Sequence, residues 1–132
     1  MKLAYTRIVT RDVSALAKFY QELTGIAPIV LSEAYVEFHN AGATLAISSE
    51  QTIACHGAGA AVAAANRSII LDFQVEDVDR EYARLKGIVD RLILEPTNQP
   101  WGNRSMLFRD PDGNLINFFA PIHKNEGQGA LE

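Results

Sequence analysis

Residues 100–119 read PWGNRSMLFRDPDGNLINFF. At their centre, Asp110-Pro111-Asp112-Gly113-Asn114 is a turn spelled out in residue types. Proline supplies a fixed negative φ and glycine takes the positive φ that other residues resist. The runs near 103–109 and 114–119 on either side are short and strand-like, so the stretch predicts a β-hairpin. Upstream, a strand-like run lies near 89–94, and before it Asp77 stands where a helix N-cap belongs. Val78, Tyr82 and Leu85 follow at helical spacing and Gly87 supplies a stop. Before the cap, Ile69, Leu71, Phe73 and Val75 alternate against Ile70, Asp72 and Gln74, the period of a strand.

The same phrase occurs earlier in the chain. Residues 3–10 alternate, with Ala4, Thr6, Ile8 and Thr10 on one face and Tyr5, Arg7 and Val9 on the other. The stretch TRDVSALAKFYQELTG (10–25) then places Asp12 as a cap, Val13, Leu16, Ala17, Tyr20 and Leu23 on one helical face, and Gly25 as a stop. After Pro28 come three β-like runs near 28–32, 34–39 and 43–49, the last two separated by Asn40-Ala41-Gly42. An offset of 65 residues lays Asp12 on Asp77, Val13 on Val78, Ile8 on Phe73 and Thr10 on Val75, so the chain reads as an internal duplication.

The predicted fold is α+β: two tandem βαβββ units forming a curved mixed sheet around a central cleft. Unit one spans 1–50 and unit two 68–122, joined by an Ala/Gly-rich linker, 51–67, with room for a helical turn around Ala60 to Ala65. Residues 123–132 read as a tail, with Leu131-Glu132 resembling a cloning scar. With 132 residues the chain fits one domain. A composition 48% hydrophobic and 21% charged excludes both disorder and a membrane span. The net charge of -4 argues against a nucleic-acid partner. A single cysteine, Cys55, and the lack of a signal-like start point to the cytoplasm.

The two units, TRDVSALAKFYQELTG and the hairpin stretch resemble the vicinal oxygen chelate superfamily over residues 3–122. That group includes glyoxalase I, extradiol dioxygenases, fosfomycin-modifying enzymes and bleomycin-resistance proteins. The resemblance implies a divalent metal held by His, Gln or Glu at up to four positions, one on the first and one on the last strand of each unit. Carried onto this chain, they fall on Tyr5, Ala46, Ile70 and Asn117. Ala46 and Ile70 have no donor atom, Asn117 is a weak neutral one, and a phenol would have to lose a proton with an ordinary pKa near 10. No metal and no other cofactor is therefore expected. His39, His56 and His123 fall at a strand end, in the linker and beyond the last strand, and read as surface or capping residues.

The candidate ligand-binding residues are Tyr5, Arg7, Ala46, Ile70, Asp72, Trp101, Asn117 and Phe119, while no residue is assigned a catalytic role. Arg7 and Asp72 each stand two places after a lost ligand position, and could pair with each other across the cleft or recognise a ligand. Trp101, between Pro100 and Gly102, could stack on a planar ligand or pack over the sheet edge. Cys55 beside His56 lacks the third group that activates a thiol nucleophile. Glu33, Glu37 and Glu76 read as a solvated acidic surface. The first functional reading is a metal-free, homodimeric protein that sequesters a small planar or amphipathic molecule, similar to bleomycin-resistance proteins. The second is an enzyme of the same superfamily: a lyase, dioxygenase or metal-independent isomerase using Tyr5 or Asp72.

Overall fold

A computed structural model describes residues 1–57 and 59–122; His123 and Leu131-Glu132, read above as part of a tail, lie outside the described residues. The elements run β1 (Tyr5–Thr10), α1 (Val13–Thr24), β2 (Ile29–Ser32), β3 (Tyr35–His39), β4 (Thr44–Ser49), β5 (Ile70–Gln74), α2 (Val78–Arg84), β6 (Arg91–Asn98), β7 (Asn103–Arg109) and β8 (Leu115–Pro121). The strands form two four-stranded mixed sheets, ordered β1-β4-β3-β2 and β5-β8-β7-β6. In each the first strand is parallel to the last of its repeat and the remaining neighbours are antiparallel, which is the βαβββ duplication written in topology. Among the described residues two compact units result: those of 1–66 with Pro111–Gly113, and residues 67–110 with 114–122.

Both helices start as their sequences dictate. The Asp12 carboxylate accepts the Ala15 N–H at 3.0 Å, and the Asp77 carboxylate accepts the Arg80 N–H at 3.0 Å. At the other end of α1, Gly25 sits at φ 73° and its N–H closes on the Gln21 carbonyl. Helix α1 buries Val13, Leu16, Ala17, Phe19, Tyr20 and Leu23, and its sheet buries Val36, Phe38, Leu45 and Ile47. The Tyr20 and Phe38 rings lie 6.4 Å apart, inside this core. Helix α2 is shorter and buries only Val78, so aromatic packing carries the second core: Phe118 lies 5.2 Å from Phe108 and 5.7 Å from Phe73.

The hairpin turn forms as read. Asp110 is buried; its Oδ1 accepts the Asn114 N–H at 2.9 Å and its Oδ2 accepts the Asn114 Nδ2 at 2.8 Å. Gly113 takes φ 89°.

Three local expectations are corrected. The helical turn of the linker forms not at Ala60–Ala65 but at Glu50–Cys55, as a 3-10 helix. Ser49 caps it by accepting the Gln51 N–H, while Ala64 at φ 57° breaks any helix farther on. Strand β6 runs past Pro96 to Asn98, because an edge strand tolerates a residue without an N–H where the register shifts, here between Leu94 and Thr97. Finally, α2 ends at Arg84, before Gly87.

Candidate functional site

Each sheet has one face under its helix and one face turned away from it. In the first sheet, Arg7 and Glu37 both pair with Ala46, Val9 and Tyr35 pair with Ser48, and Tyr5 and His39 pair with Thr44. With side chains alternating, these nine residues form a three-by-three grid on the open face. The small Ala46, fully buried, lies between the long side chains of Arg7 and Glu37.

Glu37 is the hub of this face. Its side chain is only 12% exposed; Tyr35 Oη donates to Oε2 at 2.7 Å and His39 Nε2 bonds to Oε1 at 2.7 Å. These two hydrogen bonds hold the Glu37 carboxyl below the usual carboxylate range. The same bond, with burial and the Glu37 charge, pushes the Tyr35 phenol up to about 12, against a smaller pull from Arg7. Arg7 Nη2 in turn lies 3.4 Å from Nε2 of His56, which follows the 3-10 helix.

In the second sheet, Asp72 pairs with Asn117, and Gln74 with Phe119. Asn117 Nδ2 donates to Asp72 Oδ1 at 2.9 Å. Asn117 Oδ1 and, in the first sheet, Ser48 Oγ are buried with no hydrogen-bond partner among the described residues.

The sequence-derived residues divide between the units. Tyr5, Arg7 and Ala46 lie on the open face of the first sheet; Ile70, Asp72, Asn117 and Phe119 lie on that of the second. Trp101 sits in the β6–β7 turn and is 70% exposed, so it does not pack over the sheet edge. Arg7 and Asp72 stand one on each sheet, both exposed, and the side-chain partners found for them among the described residues are His56 and Asn117. Glu37 is no solvated surface acid, whereas His39 is a surface residue and His56 an exposed residue capping the 3-10 helix, as read. Tyr35, Glu37 and His39 were legible as an i, i+2, i+4 set opposite the apolar Val36 and Phe38. Nothing local announces the contact of Arg7 with His56.

The model of the Glyoxalase/Bleomycin resistance protein/Dioxygenase superfamily matches residues 2–118. The chain belongs to this superfamily. It is 31% identical over 131 residues to the uncharacterized protein YraH of Bacillus subtilis (strain 168), covering 92% of this chain and 100% of the relative. Its fold is shared with a glyoxalase/bleomycin resistance protein/dioxygenase family enzyme from Burkholderia phytofirmans PsJN, at TM-score 0.83 and 19% identity, with 92% of this chain and 100% of that one covered. A glyoxalase-related enzyme from Fulvimarina pelagi superposes with TM-score 0.77 at 22% identity, over 98% of this chain and 96% of that one. No helix among the described residues is long and apolar enough to cross a membrane.

The four residues onto which the resemblance carries the superfamily's metal ligands do not suit such a metal. Ala46 and Ile70 carry no donor, Tyr5 is a phenol, and Asn117 spends its amide nitrogen on Asp72. Two oxygens from Asp72 and Asn117 fall short of the three or more protein donors that a zinc site uses, or the oxygen shell that calcium takes.

Proposed function

We propose that this protein is a metal-free small-molecule-binding member of the superfamily, taking a planar or amphipathic compound on the open faces of its sheets. The observation that carries this reading is the pair of orphaned polar atoms, Ser48 Oγ and Asn117 Oδ1. A buried polar atom without a partner costs about 1–3 kcal/mol, and a ligand that pairs with it recovers part of that cost. Each atom falls on the open face of its own sheet, Ser48 Oγ diagonal to the charged Arg7 in the first, and Asn117 Oδ1 beside the charged Asp72 and the apolar Ile70 and Phe119 in the second. This mixture of a few fixed polar groups among apolar walls is what small-molecule sites use. Exposed Trp101 adds a surface on which a planar compound can stack. The test is displacement of a fluorescent dye by planar antibiotics and quinones. Saturable displacement is the expected result, and its absence across the panel counts against the reading.

Metal content gives a second check. Protein purified without chelator is expected to contain well below one equivalent of Mn, Fe, Ni or Zn by elemental analysis. One metal per chain, lost on replacing Tyr5 or Asn117, would overturn the metal-free assignment.

The same reading makes the protein a cytoplasmic homodimer. All four residues of the edge strand β2 are exposed, Ile29, Val30 and Leu31 among them. Exposed apolar edge strands gain by pairing with a second copy. Sedimentation at micromolar concentration is expected to give twice the 14.5 kDa chain mass, and a purely monomeric species would refute the dimer.

A further inference from the structure

We propose that Arg7 and His56 form a pH-gated anion-recognition pair that takes the carboxylate of a small planar acid on the open face of the first sheet. This inference rests on the small-molecule reading above and specifies the charge of the ligand and the residues that meet it.

The acid across Ala46 from Arg7 and the acid that opens the 3-10 helix are both already engaged. Glu37 gives one oxygen to Tyr35 and the other to His39, and Glu50 faces Arg11 at 3.6 Å and accepts the Ala63 N–H at 3.2 Å. Among the described residues, the side-chain partner of Arg7 is a histidine at 3.4 Å and no carboxylate. A guanidinium presents five donors in a planar fork that fits a carboxylate with two parallel bonds, so most of the hydrogen-bonding capacity of Arg7 remains for a ligand. Ser48, diagonal to Arg7 on the same face, holds a buried hydroxyl with no partner among the described residues.

The gate follows from the direction of the hydrogen bond. For Arg7 Nη2 to donate to His56 Nε2, that nitrogen must carry no proton. Protonating His56 removes the acceptor and sets two like charges side by side; an anion between them turns repulsion into two attractions. Anion binding and protonation of His56 therefore favour one another, and affinity falls as pH rises.

The other titratable groups on this face are Tyr5 from β1 and Tyr35, Glu37 and His39 from β3, while β4 contributes Thr44, Ala46 and Ser48, none of which titrates. Glu37 is held ionised and Tyr35 neutral across the physiological range. The other described histidine, His39, is separated from His56 by substitution.

The experiment titrates 2-naphthoate and the neutral 2-naphthamide into the full chain by calorimetry at low salt, at about pH 6 and about pH 8. Wild-type protein is expected to bind naphthoate about tenfold more tightly at the lower pH and to bind naphthamide weakly and without pH dependence. Arg7→Gln should lose about tenfold or more in naphthoate affinity at both pH values. His56→Asn should keep the affinity at the higher pH and lose the pH dependence. Both side chains are exposed, and circular dichroism confirms the fold of each variant. Equal binding of acid and amide, an unchanged Arg7→Gln, a pH slope that survives His56→Asn, or no naphthoate binding overturns the proposal. The dye panel then decides separately whether the protein binds small molecules at all.

Discussion

Replacing Phe108 by alanine is expected to destabilise the protein by about 3–5 kcal/mol, lowering the midpoint of thermal unfolding by roughly 10–20 °C. Phe108 is completely buried and meets Phe118 edge-on at 5.2 Å. The size of the effect follows from the shape of the second unit. Helix α2 is seven residues long and buries one residue, Val78, against the six buried by α1. The apolar surface that a longer helix would supply must come from the sheet itself, through the rings of Phe73, Phe108 and Phe118. Phe108→Leu, which keeps most of the volume, should cost far less. Calorimetric scans of the two variants beside the wild type check both values, and equal losses would show that cavity formation is not what counts there.

The second large effect is at the hairpin turn. Asp110→Ala should cost about 2–4 kcal/mol, because it strips the acceptors from the Asn114 N–H and the Asn114 side-chain amide while leaving both donors buried. Asp110→Asn retains one acceptor oxygen and should recover part of the loss. Asp72→Ala is the control. It also removes a carboxylate that accepts from an asparagine amide, at 2.9 Å, but at an exposed residue, so about 0.5–1 kcal/mol is expected. Denaturant melts of the three variants order the effects. Asp72→Ala falling as far as Asp110→Ala would mean that burial is not what separates them.

What the sequence disclosed and what it withheld divide along a physical line. Asp12, Gly25, Asp77 and the 110–114 turn act on backbone groups within four residues of themselves, so residue type alone reveals them, and each acts as read. The repeat was legible because a duplicated cap and strand produce the same period twice. Ala46 and Ile70 were equally plain, since a missing donor atom needs no structure to be noticed. The polar face of the first sheet was not. Arg7 and His56 lie 49 positions apart, and their contact exists only because the 3-10 helix after β4 carries the chain back toward β1. Glu37 was misread for another reason: composition marks an acid as solvated, whereas its neighbours at i-2 and i+2 on the strand enclose it.

Pro96 affects how many copies of this chain behave together. Strand β6 is the edge of its sheet, and its eight residues contain two shifts of register and one position with no N–H to offer. A second unpaired strand meeting it would find a broken row of donors and acceptors in place of a template. The exposed Leu92 and Ile93 beside that break can therefore remain at the surface with little risk of seeding cross-β growth. One proline thereby guards the β6 edge of the second sheet against strand addition.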